Sequence, residues 1–220
     1  MNNFNPNCTK CEDVKDAAVY GHLDCIKYAY EHTFNHISRW VWAYAAENGH
    51  LECLVYAHEN GGLWDVWTCA YAAKNGQLEC LQYAHDNGCP WNERTCEYAA
   101  KNGHLDCLEY ALENGCPWDK DISLWAAESG HLECLEYLHK NKYPWDEETC
   151  AFAAGAGQLE CLKYAHKNGC LWDEETCTMA AKNGHLDCLE YAHTNGCPCS
   201  HNNGKLKNIF YKIIKSFKYL

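Results

Sequence analysis

Gly49, Gly76, Gly103, Gly130, Gly157 and Gly184 stand 27 residues apart, and Trp64, Trp91, Trp118, Trp145 and Trp172 keep the same interval. A fixed period of this length marks one supersecondary unit stacked on copies of itself, because a unit that small cannot bury its own apolar face. The spacing predicts a solenoid that presents a surface, not a closed globule around one catalytic pocket.

Residues 172–198 show how one unit should fold. Asp173 can cap a first helix, and Glu174 and Glu175 fall in its first turn, where the helix dipole favours acid. Paired alanines, here Ala180-Ala181, let a neighbouring helix approach closely. Asn183-Gly184 ends that helix with glycine at the left-handed position. A second helix follows, in which Leu186, Leu189 and the Tyr191-Ala192 pair give the three-to-four spacing of a buried stripe. Asn195-Gly196 and Cys197-Pro198 make the turn. Five copies start at the tryptophans, a sixth runs from Ile37, and a degraded seventh spans Ala17 to Ala29, with one insertion near residues 33–36. The expected fold is an all-α solenoid of stacked helix-turn-helix units with very short turns, about seven of them over residues 1–204. The recurrent tryptophan is read as a wedge between successive turns.

The net charge is −12, and its distribution is uneven. Residues 205–220 hold five lysines and no acid, so residues 1–204 carry 13 basic against 30 acidic side chains, a balance of −17. A body that acidic repels phosphate, which argues against nucleic acid as a ligand. No run of about 18 apolar residues suggests a membrane span. The amino terminus lacks the basic start and apolar stretch of a secretory signal. Eighteen cysteines in such a chain are expected to be reduced thiols in the cytoplasm. Fifteen fall in three columns: one after Leu-Glu or Leu-Asp (Cys25, Cys53, Cys80, Cys107, Cys134, Cys161, Cys188), one after Thr (Cys69, Cys96, Cys150, Cys177) and one in the turn (Cys89, Cys116, Cys170, Cys197). Stacked helices lie about 8–10 Å apart, beyond the roughly 7 Å a disulfide spans. Cysteines of one column therefore should not pair with each other; pairing between columns stays open.

The run Ala-Ala-x-x-Gly-His-Leu-Glu/Asp-x-Leu-x-Tyr followed by Asn-Gly, clearest in residues 98–115 and 179–196, resembles the two-helix core of ankyrin repeats over residues 12–198. The unit is about six residues shorter than the usual ankyrin repeat of about 33, and Glu-Thr-Cys stands where that family has Thr-Pro-Leu-His. Such compact, Cys- and Trp-rich units look like those encoded by large DNA viruses of protists and some of their hosts. The resemblance implies binding of another protein through the repeat groove by a monomeric, non-enzymatic adaptor. The alternative is a thiol-rich metal-binding or redox-sensing array.

Candidate chemistry is sparse. Cys8-x2-Cys11 followed by His22 and Cys25 has the look of a zinc-ligand set, but His22 and Cys25 are also repeat-column residues, present where no Cys-x2-Cys precedes them. Cys197, Cys199 and His201 cluster at the other end. His58, His85, His139, His166 and His193 form a ladder suited to stacking rather than to shared coordination. No metal or cofactor is expected. No phosphate loop, zinc-protease motif or catalytic carboxylate pair is present, so no catalytic residue is assigned.

Positions that vary between repeats are the candidates for recognition. The fourth position runs Trp40, Trp67, Arg94, Asp121, Glu148, Glu175, and the seventh Ala43, Ala70, Glu97, Leu124, Ala151, Thr178. Stacking would set each series in a row near the start of the first helix, the groove side in ankyrin-like arrays. Trp and Arg are enriched in interface hot spots, so Trp40, Trp67 and Arg94 are expected to anchor a partner, with the acidic row meeting something basic. The competing expectation is that both tryptophans pack inward. The repeat at Trp118 is aberrant, with Ser123, Trp125, Leu138 and Lys142-Tyr143 in place of Cys, Tyr, Ala and Gly-Cys; a compensated packing change is expected there. In the tail, Leu206, Ile209, Phe210, Ile213, Ile214, Phe217 and Leu220 recur at helical spacing. Lys205, Lys207, Lys212, Lys215 and Lys218 lie off that stripe. A basic amphipathic helix over 205–220 is expected to cap the last repeat, with contact to a membrane or partner as the alternative.

Overall fold

The computed structural model describes residues 11–32 and 38–199. Among them are fourteen α-helices and no strand. They fall into two compact units, residues 1–119 and 120–220.

The first unit holds four helix pairs: α1 (Val14–Tyr20) with α2 (Leu23–His32), α3 (Trp40–Glu47) with α4 (Leu51–Glu59), α5 (Val66–Lys74) with α6 (Leu78–Asp86), and α7 (Glu93–Asn102) with α8 (Leu105–Glu113). The second holds three: α9 (Ile122–Glu128) with α10 (Leu132–Lys140), α11 (Glu147–Gly155) with α12 (Leu159–Lys167), and α13 (Glu174–Asn183) with α14 (Leu186–Thr194). Within each unit the first helix of a pair packs on the first helix of the next, and second helices likewise follow one another. The tail helix expected over 205–220, with Lys207, Lys212, Lys215 and Lys218, lies outside the described residues.

Local chemistry explains the helices. The Asp65 carboxylate accepts the Trp67 N–H at 3.1 Å and opens α5. Asn92, Asp146 and Asp173 do the same for α7, α11 and α13. Fully buried alanine pairs, such as Ala45-Ala46 and Ala72-Ala73, line the first helices and permit their close packing. The column Ile26, Leu54, Leu81, Leu108 is 0% exposed in the first unit, as is Leu135, Leu162, Leu189 in the second. Each such side chain contributes about 1.5–3 kcal/mol relative to an exposed one. Leu186, assigned to the same stripe, is instead 48% exposed in the last described pair.

The glycine period has a second cause besides helix termination. Gly21, Gly76 and Gly157 have positive φ, and a Cβ there would lie about 2.4–2.5 Å from the imidazole Nδ1 of His50, His104 and His185 in the following repeat. Gln77 and Gln158 cover Gly49 and Gly130 in the same way. The His50 Nε2 also lies 2.9 Å from the Val19 carbonyl. The Gly-His/Gln dipeptide is thus a repeat-to-repeat contact: Gly21, Gly49, Gly76, Gly130 and Gly157 each make room for the ring or amide of the next copy.

Candidate functional site

The tryptophans, histidines and tyrosines of the repeat form one interlocking motif. Trp91 stacks on His85 with centroids 3.7 Å apart, and Tyr110 of the next pair meets it edge-on at 6.3 Å. The Tyr110 hydroxyl donates to Asp86 at 2.8 Å. With its one hydrogen so used, Tyr110 accepts at its oxygen the Nδ1–H of His85, 3.0 Å away. The same triad recurs as His58–Trp64–Tyr83, His139–Trp145–Tyr164 and His166–Trp172–Tyr191. His58, His85, His139 and His166 are therefore committed to stacking, and the last three also to hydrogen bonds with tyrosine. Burial lowers the pKa of His166 below its ordinary value, which favours the neutral ring. Leu112 stands where the others have histidine, and Trp118 beyond it is 43% exposed.

The cysteine columns also have structural roles. Turn thiols donate to the carbonyl of the capping residue 24 positions earlier: Cys89 to Asp65 at 3.3 Å, Cys116 to Asn92 at 3.3 Å, Cys170 to Asp146 at 3.0 Å and Cys197 to Asp173 at 3.0 Å. Hydrogen bonding to Cys89, Cys116 and Cys170, with burial second, drives the thiols of Cys69, Cys96 and Cys150 far up in pKa. Burial pushes Cys53, Cys161 and Cys188 up to about 11 and Cys80 and Cys107 to about 12. Such thiols are poor nucleophiles at neutral pH. One pair departs from the expected set of reduced thiols: Cys177 and Cys199 form a disulfide, their Cα atoms 5.6 Å apart. It joins a column cysteine to one outside the columns, a pairing the helix-spacing argument did not address. Cys197 lies beside it.

The positions singled out for recognition separate into three kinds. Trp40, 40% exposed, stacks on Trp67 at 6.0 Å, and both meet Tyr71, at 6.3 and 5.6 Å. Trp67 is half-buried, and the fully buried indole of this region is Trp42. Lys74 lies over the Tyr71 ring at 5.3 Å and pairs with Glu47 at 2.9 Å. Arg94 is exposed and bridges to Glu97 at 2.7 Å. This places an aromatic cluster with paired charges on α3, α5 and α7 of the first unit. In the second unit Glu148 and Glu175 are exposed in first turns, where the helix dipole already favours acid. Asp121, directly before α9, is half-buried and 3.2 Å from Lys120.

Four of the six seventh-position residues do not face outward, while Glu97 and Thr178 are half-buried. Ala43 and Ala70 are 0% exposed, Ala151 2% and Leu124 5%. These positions vary in side chain yet lie on the packed side of the first helix, where small changes in volume are absorbed by the neighbour. The Trp40–Tyr71 pairing was not anticipated. The signal was present in the tyrosine column Tyr44, Tyr71, Tyr98, one turn beyond Trp40, Trp67 and Arg94 on the same helices.

Repeated helix pairs with buried columns and one side-chain-rich face define a stacked-repeat scaffold. Models for ankyrin repeats match residues 14–58 and 69–147, together more than half of the sequence. The chain belongs to the ankyrin-repeat family. The human ASB11 ankyrin repeat domain is a similar solved structure, with a TM-score of 0.62 at 19% identity over 73% of this chain and 85% of that one; at that identity the likeness concerns the fold. No curated protein matches the sequence. Ankyrin repeats are generally protein–protein interaction modules. Among the described residues no helix is long and apolar enough to cross a membrane.

Proposed function

We propose that the chain is a non-enzymatic adaptor that binds another protein through the first-helix face of α3, α5 and α7, with Trp40 and Trp67 as anchors and Arg94 beside them. The supporting observation is the Trp40–Trp67–Tyr71 cluster, which keeps aromatic surface accessible, with Trp40 40% exposed. Interface hot spots are enriched in Trp, Tyr and Arg, and the rigid rings of Trp and Tyr offer large contact area at low entropy cost. Asp121, Glu148 and Glu175 add acid in the second unit, and residues 1–204 are strongly acidic. The partner is therefore a basic protein segment that carries an apolar or aromatic anchor. The thiol-array alternative is disfavoured: burial raises the thiols of Cys80 and Cys107 to about 12, so they stay protonated at neutral pH.

The test is affinity capture of a partner from the native host, followed by binding measurements on Trp67→Ala and Arg94→Ala. Loss of a central anchor is expected to cost about 2 kcal/mol or more, roughly thirtyfold in Kd. Melting temperature serves as the control, since Trp67 also packs on Tyr71. Unchanged affinity in both variants at unchanged stability overturns the reading.

A further inference from the structure

We propose that Cys11, His22 and Cys25 form a zinc site at the helix pair α1 and α2. Their ligand atoms all lie within 4.8 Å of one another, and the Cys11 sulfur is 2.9 Å from His22 Nδ1. Zn–S and Zn–N bonds of about 2.3 and 2.0–2.1 Å set tetrahedral ligand separations of roughly 3.5–3.8 Å. The three donors thus need adjustments of no more than roughly 1.3 Å to share one ion. Cys11 is 3% exposed and Cys25 2%, so the ion would sit shielded from water. Two soft sulfurs and an imidazole select zinc over calcium or magnesium.

Comparison with the other repeats isolates what is special. His50, the column counterpart of His22, turns its ring to the preceding repeat, with Nε2 at the Val19 carbonyl and Nδ1 over Gly21. The Nδ1 of His22 faces Cys11 instead. Cys11 belongs to no column and precedes Asp13, whose carboxylate caps α1. His22 and Cys25 stand at the start of α2, three residues apart and so on one face. Among the described residues, only one other group brings three such donors together, Cys177, Cys197 and Cys199, and two of those sulfurs are spent on the disulfide. The repeated His-Cys pair becomes a ligand pair where Cys11 joins it. In the sequence Cys8 stands three residues before Cys11, the Cys-x2-Cys spacing by which zinc sites commonly receive paired thiolates; Cys8 lies outside the described residues, and the site is defined by the other three.

Binding displaces the protons of the two thiols into solvent and leaves His22 neutral, so two thiolates balance the ion's charge.

The test uses the full chain purified in a non-thiol reductant, dialysed against zinc and then against metal-free buffer, with cobalt(II) as the spectroscopic probe. The expected results are about one zinc per chain and thiolate-to-cobalt charge-transfer absorption, with zinc displacing the cobalt. His22→Gln is the informative variant, because Gln77 and Gln158 hold this column position in other repeats and the substitution should leave the helices intact. It is expected to weaken zinc binding at least tenfold, the lower range for loss of a metal-site group, with unchanged far-ultraviolet circular dichroism. Absence of stoichiometric metal in the wild-type chain overturns the proposal, as does retention of wild-type affinity and cobalt spectrum by His22→Gln.

Discussion

Lys142 occupies a place the repeat otherwise gives to glycine. Gly61, Gly88, Gly115, Gly169 and Gly196 end the second helices at φ between 78° and 87°, and Lys142 does the same at φ 64°. An L-residue in that region costs roughly 1–2 kcal/mol through its Cβ. At Gly88, Gly115, Gly169 and Gly196 a Cβ would meet nothing within 4 Å, so the demand for glycine comes from the backbone angle alone. Lys142→Gly is therefore expected to stabilise the second unit by about 1 kcal/mol, the part of the strain left after glycine's larger unfolded-state entropy is subtracted. Urea denaturation compares the two chains; an unchanged or lower midpoint would show that Lys142 is held by something other than turn geometry. The left-handed position was legible in the sequence as Asn-Gly. The cost borne at Asn141-Lys142 became evident only when the backbone there proved to keep the same turn.

At the scale of an element, the first helices were readable from capping residues and alanine pairs, and the second from their leucine column, because those signals are local. The link between consecutive pairs was not. A triad such as His85–Trp91–Tyr110 draws one residue from the end of a second helix, one from the turn and one from the next second helix. Sequence shows each as a regular column but not that the three columns touch. The same limit explains the seventh-position row: variation among Ala43, Ala70 and Leu124 suggested exposure, whereas their packing side was set by the neighbouring helix. Trp91→Ala removes two ring contacts and leaves the His85–Tyr110–Asp86 hydrogen bonds more open to water. Because Trp91 is half-buried, the expected cost is about 2–3 kcal/mol, at or below the low end for tryptophan truncation. Trp118→Ala, whose ring is already 43% exposed and follows Leu112 rather than histidine, should cost less. Equal losses for the two variants in chemical denaturation would show that the histidine stack adds nothing.

For the whole molecule, an array held by neighbour contacts is weakest where neighbours run out. Sulfur chemistry occurs at both described limits: Cys11, His22 and Cys25 at the start, and the Cys177–Cys199 disulfide at the end. The disulfide ties α13 to the segment beyond α14 across a sequence separation of 22 residues. Closing a loop of that size in the unfolded chain is worth about 3 kcal/mol, a large fraction of what one repeat can contribute alone. The terminal pair also bears exposed Leu186, which loses part of the burial its counterparts have. Cys199→Ser should therefore lower the stability of the second unit by about 3 kcal/mol. Hydrogen exchange should quicken first in α13 and α14, while protection in α3 to α8 stays as it was. Exchange that quickens uniformly through both units would mean that the array unfolds as one cooperative body and that the disulfide does not act as an end staple. Comparison under reducing and oxidising buffers separates the bond from the side-chain change, because Cys199→Ser and the reduced wild-type chain should then exchange alike.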